Sequence, residues 1–228
     1  MNYEQMNNNK VYVRGEVTTL PQFDHEVFDE KFFLVHLKVP RLSNSFDIIP
    51  ITISERLIQN KIEIGNVLTV VGQFRSYNKQ CEGKSKLLLT VFAREILPND
   101  FSENPNTIEL TGFVCKEPIF RTTPFKREIC DVLLAVNRAY NKSDYIPCIA
   151  WGRNARYVKD MKVGEEIMVV GRIQSREYQK KIADDQVESH TAYEISIAKL
   201  SGVNKNDGIV VDRTNGNYIN ANNWIFKK

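Results

Sequence analysis

The chain has 228 residues, and its 42% hydrophobic and 10% aromatic residues indicate one or two globular domains rather than a disordered protein. Its formal net charge of +3 is too small to indicate a polyanionic partner by itself. No apolar run is long enough to cross a bilayer, and the first residues, MNYEQMNNNK, hold no hydrophobic segment, so we expect a cytoplasmic protein with neither a signal peptide nor a membrane partner.

Five stretches of alternating apolar and polar residues occupy the first hundred positions, and this period of two is typical of β-strands. They read KVYVRGEV, FFLVHLKV, DIIPITIS, NVLTVVGQF and KLLLTVFA. Between the third and the fourth, SERLIQNKI predicts one short helix, and Gly65 is suited to the turn into the next strand.

The second half of the chain presents the same order of elements. Its strands read TIELTGFV, DVLLAVNR, YIPCIAWG, EIMVVGRIQSREY and AYEISIAKL, with RNARYVKDM as the short helix and Gly164 after it. Five strands with one short helix in that place describe an OB barrel better than a sandwich. The predicted fold is therefore all-β, with two tandem five-stranded OB-fold barrels, each with one short helix between strands 3 and 4.

Fixed offsets in sequence support the two copies. Three pairs of residues lie 97 positions apart in the same order: Gly15 and Gly112, Pro21 and Pro118, Pro50 and Pro147. A fourth landmark, IGNVLTVVGQF, recurs as VGEEIMVVGRI at an offset of 99. A shared period of this size indicates an internal repeat.

The repeat sets the predicted domain boundaries. We expect an N-terminal OB domain in residues 1–100, a linker in 101–105 and a C-terminal OB domain in 106–201. Residues 202–228 are rich in asparagine and glycine, a composition that cannot build a core. They predict a flexible tail that could dock through its apolar islands IVV and WIF, the second of which holds Trp224 and Phe226.

Large rings lie among positive charges in the stretch LAVNRAYNKSDYIPCIAWGRNA. Because side chains alternate across a strand, Tyr145 and Trp151 share one face, and Ile146, Cys148 and Ala150 share the other. The second set is small and apolar, which suits the inside of a narrow barrel. The two rings are therefore predicted to point outward, with further rings and cations nearby.

The following strand, in GRIQSREY, supplies those neighbours by the same rule. Arg172, Gln174, Arg176 and Tyr178 share a face, and that face must be outward because arginines are almost never buried unpaired. Tyr140 lies in the loop before the ring-bearing strand. Rings can complete a barrel wall or a dimer contact, but four rings with interleaved arginines favour a platform for single-stranded nucleic acid. Such rings bind unstacked bases at about 1–3 kcal/mol each, and cations neutralise the phosphates.

The second copy is similar to the bacterial single-stranded-DNA-binding proteins. The similarity is carried by NTIELTGFVCKEPIFRTTP, LLAVNRAYNKSDYIPCIAWG and KVGEEIMVVGRIQSREYQKK, within residues 106–181. The resemblance implies an OB fold that binds single-stranded DNA without sequence preference and protects it in replication, recombination or repair. It places base-stacking rings at Tyr140, Tyr145, Trp151 and Tyr178. It places the basic positions of the binding groove at Arg121, Arg138, Arg172 and Arg176.

Two departures from the family pattern matter. The family usually ends in an acidic, hydrophobic tip that recruits replication and repair proteins, whereas this chain ends NNWIFKK. In the first copy, the positions that match Tyr140, Tyr145 and Trp151 are Ser43, Ile48 and Ser54, while Arg41 matches Arg138. We therefore expect the first copy to serve mainly in assembly or weak strand contact, with Arg75 and Tyr77 as its candidates.

Charge is divided in the same direction. Residues 1–105 hold 12 Lys and Arg against 13 Asp and Glu, whereas residues 106–201 hold 15 against 13. Family members generally present four barrels together, so a two-barrel chain is expected to form a homodimer. The alternative hypothesis is a protein-interaction or replication-restart scaffold of the primosome type, with weak nucleic-acid binding.

No cofactor, metal or catalytic residue is expected. The sequence has no hydrolase, zinc-protease or dinucleotide fingerprint. The four cysteines have no C-x-x-C spacing, which favours buried or unreactive thiols over zinc or disulfides. The run NKQCEGKS lacks the first glycine and the helix of a phosphate-binding loop, so a polar hairpin tip is favoured. Asp184, Asp185 and Glu188 are most simply a solvated hairpin loop.

Overall fold

The computed structural model describes residues 7–58, 61–81, 84–97, 104–183, 186–203, 209–212 and 217–220. Within these ranges the chain is all-β, with one α-helix and one turn of 3-10 helix as the exceptions. The predicted fold class is confirmed. No helix among the described residues has the length and the apolar character that crossing a membrane needs.

The first repeat forms six strands. They are β1 (Asn9–Val17), β2 (Gln22–Val27), β3 (Glu30–Pro40), β4 (Phe46–Ser54), β5 (Val67–Cys81) and β6 (Lys84–Leu97). Strand β1 pairs with β3 and β5, β3 with β4, β4 in parallel with β6, and β6 with β5. The pairings therefore close a ring in the order β1-β3-β4-β6-β5, and closing removes the exposed edges that an open sheet would leave.

The second repeat closes the same ring. Its elements are β7 (Asn106–Val114), β8 (Ile119–Thr122), β9 (Glu128–Asn137), β10 (Ser143–Trp151), α1 (Arg153–Val158), β11 (Glu166–Ala183) and β12 (Gln186–Val203). Strand β7 pairs with β9 and β11, β9 with β10, β10 in parallel with β12, and β12 with β11. Both repeats thus have one strand order.

The repeats depart from the predicted elements in two details. Each has an additional short strand, β2 or β8, on the edge of β3 or β9. Both of its faces are largely exposed, so it lacks the apolar alternation that reveals a strand in sequence. In the described part of the predicted helix of the first repeat there is a 3-10 turn, Glu55–Leu57, whereas the second repeat has the α-helix α1.

Alternating apolar side chains fill the two barrels. The first contains the fully buried Val13, Val35, Leu37, Ile49, Ile51, Ile53, Val70, Phe74 and Val91. The second contains the fully buried Ile108, Leu110, Leu134, Ile146, Ala150, Ile167 and Ile195. Burying each of the larger side chains contributes about 1.5–3 kcal/mol to the free energy of folding, so these cores are the main source of stability.

The glycine of the repeated VVG motif is required by close strand approach. A Cβ atom at Gly72 would lie 2.2 Å from the carbonyl oxygen of Phe92, and one at Gly171 would lie 2.2 Å from that of Ser196. Both are below any tolerable contact, and in both cases the obstacle is backbone. The motif therefore marks a place where the fourth barrel strand leaves no room for a side chain against the backbone of the fifth.

The chain divides into two compact units that differ from the two sequence repeats. The N-terminal unit holds residues 10–107 and 173–194, and the C-terminal unit holds 1–9, 108–172 and 195–228. Residues 173–194, here called the arm, are the far part of the β11–β12 hairpin. The sequence-based boundaries at 100 and 106 remain a prediction, since they follow homology between repeats rather than compactness.

Hydrogen bonds inside the N-terminal unit fix the base of the arm. Buried Asp47 accepts from the backbone nitrogen of Ser175 at 2.7 Å. The backbone nitrogen of Ile48 donates to Ser175 Oγ at 3.1 Å, and the amide of Asn106 exchanges two hydrogen bonds with the backbone of Ile173 at 2.7 and 2.9 Å. Buried bonds of this kind explain why the arm groups with the first repeat.

Part of the predicted tail has regular structure in the described residues, while its flexibility stays a prediction. Strands β13 (Ile209–Asp212) and β14 (Asn217–Asn220) form an antiparallel hairpin, and β13 pairs with the end of β12. The island IVV therefore docks by extending the sheet. This pairing rests on backbone hydrogen bonds between strands, which composition does not reveal. Trp224 and Phe226 lie outside the described residues.

Candidate nucleic-acid interface

Strand β10 presents its rings on the outer face, as predicted. Ile146, Cys148 and Ala150 are buried, whereas Tyr145 is 46% exposed and Trp151 is 37% exposed. Ile149 shares the ring face by alternation and was expected to point outward with it, but its side chain is buried, so alternation fails at this position. The outer surface of β10 therefore has two separate ring positions rather than a continuous apolar stripe.

Trp151 is held in one orientation beside positive charge. Its indole Nε1 donates to Ser196 Oγ on β12 at 3.2 Å. The ring borders an open pocket of about 480 Å³ that is also lined by Thr122, Lys126, Arg127, Glu128 and Gly152. A planar base and its phosphate find there an aromatic face and two cations, which is the combination that single-strand binding uses.

Tyr140 projects from the turn between β9 and β10. It is 84% exposed, and both Tyr140 and Asn141 have positive φ, at 60° and 53°. That conformation costs a non-glycine residue about 1 kcal/mol or more. The turn therefore leaves a large ring accessible to a ligand from solvent.

The predicted arginines of the C-terminal unit differ in their partners. Arg121 on β8 forms a bidentate pair with Asp131, at 2.7 and 3.1 Å, on an exposed surface. Arg138 reaches Asp144, whose side chain is 1% exposed, at 3.3 Å. Exposed pairs contribute about 0–1 kcal/mol, so a phosphate can replace Asp131 at small cost. Arg138 has a structural task as well, because a buried carboxylate needs a cation.

Two of the three remaining predicted positions, Arg176 and Tyr178, lie on the arm, in the N-terminal unit. Tyr178 is partly exposed and stacks on His190, with ring centroids 5.6 Å apart, and Arg176 is exposed. Arg172, at the start of this stretch, is half-buried and belongs to the C-terminal unit. The eight predicted site residues are thus divided, six in the C-terminal unit and two in the N-terminal unit.

The prediction that Gln174 points into solvent is wrong. Its side chain is buried and its Nε2 donates to Glu194 Oε1 at 2.6 Å. The alternation of side chains along the strand places Gln174 on the face of Arg176 and Tyr178. Alternation does not show which parts of a face are covered by a neighbouring strand. Here the partner carboxylate comes from β12, on the other side of the arm.

Sequence reasoning missed two cations of the pocket, Lys126 and Arg127, and the serine that accepts from the Trp151 indole, Ser196. Lys126 and Arg127 could have been found in the sequence TTPFKREIC, where they are two adjacent cations in a polar turn before a strand. Ser196 has no sequence signal, because its role depends on the parallel pairing of Ile149 with Ser196 across β10 and β12.

The thiols and carboxylates of the described residues form no group that could hold a metal ion. Cys130 is buried, and burial, followed by the nearby charge of Asp131, raises the pKa of its thiol to about 11. It is therefore protonated at neutral pH. Glu188 faces His190 at 3.1 Å, and Asp184 and Asp185 lie outside the described residues.

Comparison with known proteins agrees with this geometry. Residues 105–202 match the model of the single-strand binding protein family. The chain is 34% identical over 83 residues to single-stranded DNA-binding protein A of Bacillus subtilis, which covers 33% of this chain and 48% of that protein. It is 28% identical over 126 residues to single-stranded DNA-binding protein 2 of Listeria monocytogenes, covering 52% and 76%. This chain spans about half the length of the B. subtilis relative, or 48% of it.

A solved structure extends the likeness to both repeats. The wild-type single-stranded DNA binding protein from Thermus aquaticus superimposes with a TM-score of 0.65 at 19% identity, covering 86% of this chain and 93% of that one. At this identity the likeness shows the fold. Together with the family match, it leads to one conclusion: the second repeat of this chain, in residues 105–202, is similar to the single-strand binding protein family.

Proposed function

We propose that this protein binds single-stranded DNA without sequence preference and acts as a binding protein rather than an enzyme. The observation that carries the proposal is Trp151, which is fixed by Ser196 and half-exposed beside a pocket with Lys126 and Arg127. The family match of residues 105–202 and the names of the relatives support it.

The proposed mechanism combines stacking and charge neutralisation. Unpaired bases stack on Tyr140, Tyr145 and Trp151 of the C-terminal unit, and on Tyr178 of the N-terminal unit. Phosphates are bound by Arg121, Arg138, Arg172 and Arg176. Every base has a planar face, so stacking does not select a sequence. When DNA binds, the exposed guanidinium of Arg121 exchanges its contact with the Asp131 carboxylate for one with a phosphate.

We further propose that the chain acts as a homodimer that presents four OB folds, and that it coats strands exposed in replication, recombination or repair. A chain with two barrels of one strand order reaches four barrels by a single two-fold axis. Light scattering checks the assembly, since a mass of twice the 26.3 kDa chain is expected.

The test of strand binding uses Trp151 as the reporter. The chain has two tryptophans, so Trp224→Phe leaves Trp151 as the fluorescent indole. Adding oligo-dT should quench its emission, and the affinity should fall as salt rises, because bound phosphates release counterions. Unchanged emission at low salt and micromolar protein would contradict the proposal and leave the protein-interaction scaffold as the better hypothesis.

A matched pair of ring variants separates contact from folding. Tyr140→Ala should weaken oligo-dT binding by about tenfold, within the usual energy of a stacked base. Phe28→Ala is the control, because Phe28 is also a strongly exposed ring in a hairpin turn, 97% exposed with φ 50°. Equal losses of affinity in both variants would show that the effect is unspecific.

A further inference from the structure

A buried ion pair is common to the two repeats, although the rings are not. Arg41 and Asp47 match Arg138 and Asp144 at the offset of 97, and in each repeat the arginine pairs with a carboxylate that is almost fully buried. The three rings of β10 and of the turn before it have no aromatic counterpart at this offset in the first repeat. The first repeat therefore has the ion pair without the rings that accompany it in the second.

In the first repeat this pair belongs to a socket that binds one residue of the arm, Ser175. We call Arg41, Asp47 and Ile48 the socket. The backbone nitrogen of Ser175 donates to Asp47 Oδ1 at 2.7 Å, and its carbonyl oxygen accepts from Arg41 Nη2 at 3.2 Å. Its hydroxyl accepts from the backbone nitrogen of Ile48 at 3.1 Å and donates to Asp47 Oδ1 at 3.3 Å. Every polar group of Ser175 is thus bound by the socket.

Burial strengthens these contacts. The side chain of Asp47 is fully buried, and Arg41 Nε also donates to it at 2.8 Å. Hydrogen bonds to an ionised group are roughly twice as strong as those between neutral groups, and the exclusion of water strengthens them further. Because Arg41 and Ser175 both donate to this one carboxylate, the position of Ser175 is defined in the unbound protein.

Ser175 lies where the arm leaves the covered part of the structure. The two residues before it are buried and Ser175 is half-buried, whereas residues 176–179 are exposed. Side chains alternate along a strand, so binding the Ser175 hydroxyl in the socket turns those of Arg176 and Tyr178 to the opposite face. A strand rises about 3.3 Å per residue, so Tyr178 lies about 10 Å beyond Ser175. Movement at Ser175 is therefore amplified at the ring of Tyr178.

We propose that Asp47 is a positioning residue for DNA binding, which acts by holding the arm at Ser175. Arg176 and Tyr178 then meet the strand in a fixed orientation. The inference rests on the proposed function, in which these two residues bind phosphate and base. An arm that is held in place before binding loses less conformational freedom when DNA binds, which raises the affinity without any new contact. The first repeat thus contributes to binding through a buried carboxylate.

Asp47→Asn tests this role with little change of shape. An asparagine can accept from Arg41 or from Ser175, but it then presents its amide nitrogen, a donor, to the other. Oligo-dT affinity, measured by Trp151 emission in the Trp224→Phe protein, should fall about threefold to tenfold. In the unbound protein, hydrogen exchange at the Ser175 amide should become faster.

A matched control separates positioning from stability. Ile51→Val trims a fully buried side chain of the same barrel and leaves the socket intact, so its oligo-dT affinity should be unchanged. Urea denaturation reports the stability of each variant. The second comparison removes the residues through which Asp47 acts: in an Arg176→Gln, Tyr178→Ala background, Asp47→Asn should cause no further loss of affinity. A role in global stability alone would lower the affinity equally in both backgrounds.

The outcomes distinguish this inference from the proposed function. Absence of quenching in the Trp224→Phe protein would refute the proposed function. Binding by that protein with unchanged affinity in Asp47→Asn, or an equal loss in both backgrounds, would overturn the positioning role alone. If Asp47→Asn does not fold, Ser175→Ala takes its place, since it removes the two hydroxyl contacts and keeps the ion pair. It should weaken binding about twofold to threefold where Arg176 and Tyr178 are present, and an unchanged affinity would overturn the inference.

Discussion

Trp151 and Ser196 are joined by a hydrogen bond of 3.2 Å across β10 and β12, the parallel pair that closes the second barrel. The indole is one of the proposed stacking rings of the second repeat, and it is bound by a serine 45 positions away. Ring position and barrel closure are therefore coupled.

Ser196→Ala should free the indole while leaving the barrel folded. One hydrogen bond contributes about 0.5–1.5 kcal/mol, so we expect oligo-dT affinity to fall about threefold to tenfold. Fluorescence anisotropy of Trp151, with Trp224→Phe, should decrease in the unbound protein. Ser196→Thr retains the hydroxyl and is the control. Unchanged anisotropy and affinity in Ser196→Ala would show that other contacts orient the ring.

Arg138 and Arg176 should respond differently to substitution by glutamine. Arg138 pairs with the buried Asp144, so Arg138→Gln leaves a buried carboxylate without this cation and should lower the free energy of unfolding by about 3 kcal/mol. Arg176 is exposed, so Arg176→Gln should leave urea denaturation unchanged. Instead it should reduce the slope of log affinity against log salt by about 0.7. A stable Arg138→Gln protein would contradict the structural role.

Gly171→Ala should destabilise the second barrel, because its Cβ would lie 2.2 Å from the carbonyl oxygen of Ser196. Relieving the overlap requires strand movement, and overpacking of this kind costs about 1–3 kcal/mol. Gly202→Ala is the matched control, since the nearest atom to its Cβ is the Tyr157 hydroxyl at 3.5 Å. Thermal unfolding compares the two, and equal melting temperatures would refute the steric argument.

Cys130 should contribute a pH dependence to stability above neutrality. Burial raises the pKa of its thiol from 9.0 to about 11, so the unfolded chain loses this proton at lower pH than the folded one. Stability is therefore complete below pH 9 and falls as pH rises towards 11. Urea denaturation at several pH values should show a steeper decline for the natural protein than for Cys130→Ala. Parallel declines would mean that the thiol does not titrate in this range.

The all-β class, the repeat and the outward positions of Tyr145 and Trp151 could be predicted from the order of residues along the chain. These properties depend on local alternation, because neighbouring residues in the sequence show which face of a strand is apolar and which is polar. The barrel cores around Ile146 and Ile51 and the exposure of Tyr145 and Trp151 were therefore accessible without coordinates.

The tertiary structure alone decided which strands meet and which charges are already paired. Alternation along the strand placed Gln174 on the face of Arg176. The packing of β12 shows that Gln174 is instead buried and bonded to Glu194. Register brings Ser196 to Trp151, and Phe92 to Arg75 of β5. Such contacts join residues far apart in sequence, and their identity follows from barrel closure, which no local pattern encodes.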